Sequence, residues 1–177
     1  MNMHPARLLF TAAVFSIACL LMGVRPIAAQ NDCQALIKSE KDAFAKLQNT
    51  PAHVYSTTKI GSTTVDSEVI YAAGSIYGKV NGKWIVMDTI KSAEQLQQQA
   101  MQRATAKDTC RYLGDEPENG EMSAQYRAHS ETSKGTMDMQ IWISKRTGLI
   151  LRNDIDSNGG KFLMSSRYEY TNVKPPL

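Results

Sequence analysis

Met137-Asp-Met-Gln-Ile-Trp-Ile-Ser-Lys-Arg-Thr-Gly-Leu-Ile-Leu-Arg-Asn-Asp-Ile-Asp156 reads as two long antiparallel strands joined at a tight turn. Met137, Met139, Ile141 and Ile143 fall on one face of the first strand, and Asp138, Gln140, Trp142 and Ser144 on the other. Side chains alternate across a strand, so this spacing predicts a sheet with one apolar and one mostly wet side. Residues 145–148 supply the turn, with Gly148 free to take a positive φ. An apolar sheet face has to be covered by helices, a second sheet or a ligand, and the functional reading depends on which.

Upstream of that pair the pattern is helix, then short strands. Asp32 is placed to cap a helix over 33–48, with Leu36, Ala43, Phe44 and Leu47 as its apolar stripe and Lys38, Glu40, Lys41 and Lys46 outward. Asn49-Thr-Pro51 stops it. Strands are expected over 53–60 and 63–72, parted by Gly61-Ser62, and over 75–80 and 83–87, parted by the hairpin turn Asn81-Gly82. A second helix is expected over 92–106, opened by Ser92-Ala-Glu-Gln95, with Ile90, Ala93, Leu96, Ala100 and Ala104 as its apolar line.

Beyond it the chain reads as a short strand over 110–114, a loop over 115–120, a strand over 121–131, the long pair, and a last strand over 161–172. In that last strand Phe162, Met164, Ser166, Tyr168 and Tyr170 share a face. No βαβ crossover is legible. The fold class is therefore α+β: a strongly curved antiparallel sheet, an incomplete barrel, with two main helices on its concave face.

The first 29 residues stand apart. Arg7 gives a positive start, residues 8–23 are nearly all apolar, and Ile27-Ala28-Ala29 offers a cleavage site before Gln30. This predicts a secretory signal peptide cleaved after Ala29 and a single domain over 30–177. A membrane anchor is the alternative, although the apolar run is short for a span and Arg25-Pro26 interrupts it. Lipid modification at Cys19 is another, although no leucine stands three places before it.

Of 20 Lys and Arg in the chain, 18 lie beyond the signal against 17 acidic residues, and no basic cluster suits a phosphate backbone. Nucleic acid is therefore not an expected partner. Cys33 and Cys110 remain, and an even pair in an exported chain predicts a disulfide.

Chemical motifs are scarce. His53 and His129 fall in separate strands without a neighbouring nucleophile, and no hydrolase elbow, zinc helix, phosphate loop or dinucleotide fingerprint occurs. Asp154, Asp156 and Asn158 open like a calcium loop, but Ser165 stands where the closing glutamate belongs. The chain is expected to be neither an enzyme nor a metal or cofactor protein. An enzyme would require His53 or His129 to meet carboxylates in a cleft.

Tyr71 with Ile76-Tyr77, Lys83-Trp84-Ile-Val-Met87, Gln140-Ile-Trp-Ile-Ser144, Thr147-Gly-Leu-Ile-Leu151 and Tyr168-Glu-Tyr-Thr-Asn-Val173 follow one another after a signal and an initial helix. This layout resembles periplasmic proteins of the LolA/LolB lipoprotein-carrier type. The resemblance implies a curved, incomplete barrel closed by helices, with an apolar cavity for acyl chains. No arginine here aligns with the one that gates such carriers, which leaves lipoprotein sorting itself in question.

The expected function is accordingly the non-covalent carriage of a lipid, an acylated protein or another apolar molecule by a periplasmic monomer. Met137, Met139, Ile141, Phe162 and Met164 are the expected lining, with the hydroxyls of Tyr168 and Tyr170 for orientation. The alternative is an exported interaction module, an inhibitor, immunity protein or envelope-assembly factor, that presents a sheet edge or the 115–120 loop to a partner.

Overall fold

Among the described residues, nine strands and one helix follow from local chemistry that is mostly readable. A computed structural model describes residues 32–47, 49–89, 108–132 and 135–176. The expected signal segment and the expected helix over 92–106 lie outside the described residues. Helix α1 spans Cys33–Leu47. The strands are β1 (Ala52–Ile60), β2 (Thr63–Ala72), β3 (Ser75–Val80), β4 (Lys83–Thr89), β5 (Thr109–Glu118), β6 (Glu121–Thr132), β7 (Gly135–Ser144), β8 (Ile150–Ser157) and β9 (Phe162–Glu169).

They form one antiparallel sheet in the order β4-β3-β2-β1-β9-β8-β7-β6-β5, and the sheet is not closed. Two meanders are thus joined at the centre. The first runs outward from β1 to one edge, and the second runs inward from the other edge to β9. Their seam is the β1–β9 ladder, in which Ile60 faces Phe162 and His53 faces Glu169.

Tight turns set the register where the sequence carries glycine or asparagine. Asn81 and Gly82 take φ of 51° and 76°, the geometry a two-residue hairpin needs. Gly148 takes φ of 70° in the β7–β8 turn. There Lys46, in the last turn of α1, donates to the Thr147 carbonyl oxygen at 2.6 Å. A Cβ on Gly148 would sit 2.4 Å from that ammonium.

Helix α1 covers one face of the sheet, here called inner. Leu36 and Ala43 pack with Cys110, Ile141, Ile143 and Ile150, and Leu47 packs with Ala52 and Leu149. The Cys33–Cys110 disulfide, with Cα atoms 4.7 Å apart, fastens the start of the helix to β5.

Asp32 does more than open the helix. Its carbonyl accepts from Leu36, its N–H donates to the Cys110 carbonyl at 3.1 Å, and its carboxylate accepts the Tyr112 N–H at 2.9 Å. The side chain expected to cap α1 instead occupies the backbone of the edge strand.

Three expectations are corrected. Residues 115–118 are not loop but the second half of β5. Pro117 is tolerated there because β5 is an edge strand and its missing N–H breaks no ladder bond. Glu40 does not point outward, as described below. The outer face is not simply wet: Trp142 is 5% exposed, with the Arg152 guanidinium 4.8 Å from its ring and its indole N–H given to Glu116. A second small apolar cluster lies over β2 and β3, where Ile70, Ala72 and Tyr77 pack with Trp84 and with Val173 of the C-terminal tail.

Candidate apolar face and its polar seat

Strand register decides which side chains share the inner face, because directly opposed residues in an antiparallel ladder point the same way. One row crosses the sheet as Met137, Ser157, Phe162 and Ile60 on β7, β8, β9 and β1. The next crosses as Ala128, Met139, Ile155, Met164, Thr58 and Val65 from β6 to β2. A third crosses as Tyr126, Ile141, Asn153, Ser166 and Ser56.

Helix α1 covers the third row and those beyond it but leaves the first two largely bare. Ile60 is 58% exposed, Val65 52% and Met137 42%. Phe162, Met164 and Ile155 are partly buried.

The expected lining therefore divides. Met137 with Phe162, and Met139 with Met164, stand in the two open rows. Ile141 is sealed beneath α1, 1% exposed. Tyr168 packs against the Leu36 cluster, and Tyr170 packs against the Leu47 cluster while giving its hydroxyl proton to the Ile150 carbonyl. Ile60, Val65 and Ile155 were not anticipated, because only the pairing of distant strands places them beside the methionines.

Glu40 is the other residue that sequence reasoning misplaced. It stands four residues after Leu36 and four before Phe44, inside the buried stripe. Removal from water alone pushes its carboxyl up to about 7. No described residue hydrogen-bonds or pairs with it. Burial first, then the charges of Tyr71 and Glu40, raise the phenol of Tyr168, so the carboxyl and the two phenols lie within electrostatic reach. Tyr71 is likewise raised by burial. The Asn153 carbonyl oxygen, in the row of Ile141, is buried without a partner.

The outer face carries different chemistry. A groove of about 570 Å³ runs across it, lined by Lys59, Arg127, Asp138, Asp154, Asp156 and Leu163. A cleft of about 390 Å³ is lined by Leu149, Leu151, Tyr168 and Tyr170 beside the β7–β8 turn.

His53 meets Glu68 at 3.2 Å and the Tyr55 hydroxyl at 3.0 Å, and His129 meets Asp138 at 3.1 Å. Asp138 lines the outer groove, whereas neither histidine lines that groove or the cleft. Asp154 is held by Arg152 and Ser165, and Asp156 accepts the Gly160 N–H at 2.6 Å, so both carboxylates serve the strand and turn. Among the described residues no group of three or more His, Cys, Asp or Glu could hold a metal ion. No described helix is long and apolar enough to cross a membrane.

Solved structures share this architecture. The lipoprotein LppX of Mycobacterium tuberculosis superposes with a TM-score of 0.52 at 14% identity, over 80% of this chain and 98% of that one. LprF from Mycobacterium bovis gives a TM-score of 0.50 at 10% identity, over 84% of this chain and 98% of its own. The fold is LolA/LolB-like. The likeness is one of fold alone. No family model matches the chain, and no curated protein matches it by sequence.

Proposed function

We propose that the protein is an exported carrier that holds an apolar or acylated molecule non-covalently on the open inner rows of a sheet bent around α1. The supporting observation is the continuity of apolar side chains across five strands on the face that also bears the helix: Ile60, Val65 and Met137 exposed, with the partly exposed Met139, Ile155, Phe162 and Met164 between them. A patch of this kind is costly in water and marks a binding surface. Each CH2 it removes from water contributes about 0.8 kcal/mol, so half an acyl chain suffices for useful affinity without any catalytic group. Methionine thioethers adapt to irregular tails.

The test is native mass spectrometry of protein recovered from an exporting host, together with uptake of an uncharged fluorescent hydrophobe. Bound lipid, with uptake weakened at least tenfold by Met139→Asp or Met164→Asp, is the expected result. Absence of both lipid and uptake overturns the proposal.

A second reading, an interaction module, has its own support in β4. Among the described strands it is one of the two sheet edges, and Ile85, Val86 and Met87 on it are 45%, 58% and 60% exposed. A partner strand could add there. Capture of a protein partner that Val86→Lys abolishes, with no lipid bound, would favour it.

A further inference from the structure

We propose that the outer groove binds an extended zwitterion of short-peptide length, with its carboxylate on Arg127 and Arg111 and its ammonium on Asp138 and Asp156. The site lies on the face opposite the apolar rows and is independent of the carrier reading.

Strand register sets two unfavourable pairs beside one another. Arg111 of β5 is directly opposed to Arg127 of β6, and Asp138 of β7 to Asp156 of β8. Both pairs are on the outer face, because the adjoining residues Ala128 and Met139 are inner. Directly opposed residues have Cβ atoms about 4.5–5.5 Å apart, and like charges at that spacing are destabilising. Exchanging one member of each pair would give two favourable pairs. The chain instead keeps cations with cations and acids with acids, and Arg127, Asp138 and Asp156 all line one groove.

Each acid of the pair keeps bonding capacity. Asp138 lends Oδ1 to His129 at 3.1 Å and Asp156 lends Oδ1 to the Gly160 N–H at 2.6 Å, and a carboxylate has two oxygens to offer. Asp154 is different, since Arg152 occupies both of its oxygens. It is therefore left out of the seat. Arg111 and Arg127 are both exposed, and a guanidinium fork matches a carboxylate in two parallel bonds.

Spacing selects the ligand. Arg127 and Asp138 are diagonal neighbours about 8 Å apart, and the two like-charged pairs are centred about 12 Å apart by strand spacing and rise. An extended chain advances about 3.3–3.6 Å per residue, so two or three residues carry an α-ammonium and an α-carboxylate between the pairs. A single amino acid is too short. Thr57, Gln140 and Ser165 line the same groove and suit the amides of such a chain. A dianion would meet Asp154 and Asp156, and a dication would meet Arg127 and Lys59, so the mixed lining disfavours both. The volume of about 570 Å³ admits a ligand of this size.

The experiment is calorimetry on protein recovered from an exporting host, near neutral pH and at low salt, with trialanine, N-acetyl-trialanine, trialanine amide and free alanine. Trialanine should bind about tenfold more tightly than either blocked peptide, because each block removes one charge-assisted bond. Free alanine should bind more weakly than trialanine. Arg127→Gln should lower the affinity for trialanine about tenfold and leave that for trialanine amide unchanged. Asp138→Asn should likewise weaken trialanine and spare N-acetyl-trialanine. Binding of none of the peptides, or equal binding of all, overturns the assignment. A blocked peptide that matches trialanine overturns it too, since the groove would then read one charge alone. The comparison on the native protein needs no variant, so poor folding of a variant leaves the test decisive. Hydrophobe uptake, which tests the carrier reading, is measured separately and stands or falls by itself.

Discussion

Glu40 ties the packing of α1 to the stability of the whole chain. Folded, it keeps its proton up to about 7, whereas an unperturbed glutamate loses it near 4.5. The folded state therefore binds more protons between those limits, and stability should fall as pH rises from about 4.5 to about 7, by on the order of 1–3 kcal/mol. Below that window both states are protonated and the cost vanishes. The groups facing Glu40, Tyr71 of β2 and Tyr168 of β9, are raised phenols and do not titrate there. His129, held above its ordinary value by Asp138, also loses stabilisation as pH rises, so the native slope alone is ambiguous. Urea midpoints of native protein and Glu40→Gln, compared at pH 4.5 and 7.5, isolate the effect: the variant should gain about 1–3 kcal/mol at the higher pH and little at the lower. Gly148 gives a second test at this scale. Its φ of 70° strains any residue that carries a Cβ, and the Lys46 ammonium would have to move aside. Gly148→Ala should cost about 1–2 kcal/mol by the same measurement. The turn role of Gly148 was legible, because glycine between two apolar strands has few other uses. The inward placement of Glu40 was not. Its spacing from Leu36 and Phe44 is visible, but charge argues for the solvent side, and only packing shows that the spacing prevails.

The two edges of the sheet are managed differently. At β5 the backbone is occupied by Asp32, bulged at Tyr112–Gly114 and interrupted by Pro117, all devices that discourage pairing with another chain. β4 carries a bulge at Met87 against β3, but neither a proline nor a side chain on its backbone among the described residues, and three consecutive apolar residues on it are exposed. Val86→Lys should raise the concentration at which the protein begins to self-associate, read by light scattering, while changing stability by no more than about 0.5 kcal/mol. An unchanged onset would mean that the edge is not the site of association. Hairpins were the most legible elements: β2 and β3 run where the turns at Gly61 and Asn81-Gly82 place them, because loop chemistry and alternation are both local. β5 was misread past Gly114 for the converse reason. A proline forbids an interior strand, and nothing local states that this strand lies at an edge.

At the scale of the molecule, the order of strands was the least legible property. Alternation identifies faces, but it does not say that Ile60 lies beside Phe162, a hundred residues away in sequence, nor that Met139 and Met164 flank Ile155. The apolar surface belongs to that pairing and to no single segment, so only part of the expected lining falls in the open rows. The same pairing makes the final strand indispensable to the first. Without residues 162–176, β1 and β8 would each lose a neighbour, and the sheet would divide into two small ribbons. A chain ending at Lys161 should show no cooperative unfolding by circular dichroism, whereas native protein should show one transition. Synthesis from the amino end therefore leaves β1 without its second neighbour until β9 has been made, so the ladder that unites the two halves is the last that can form.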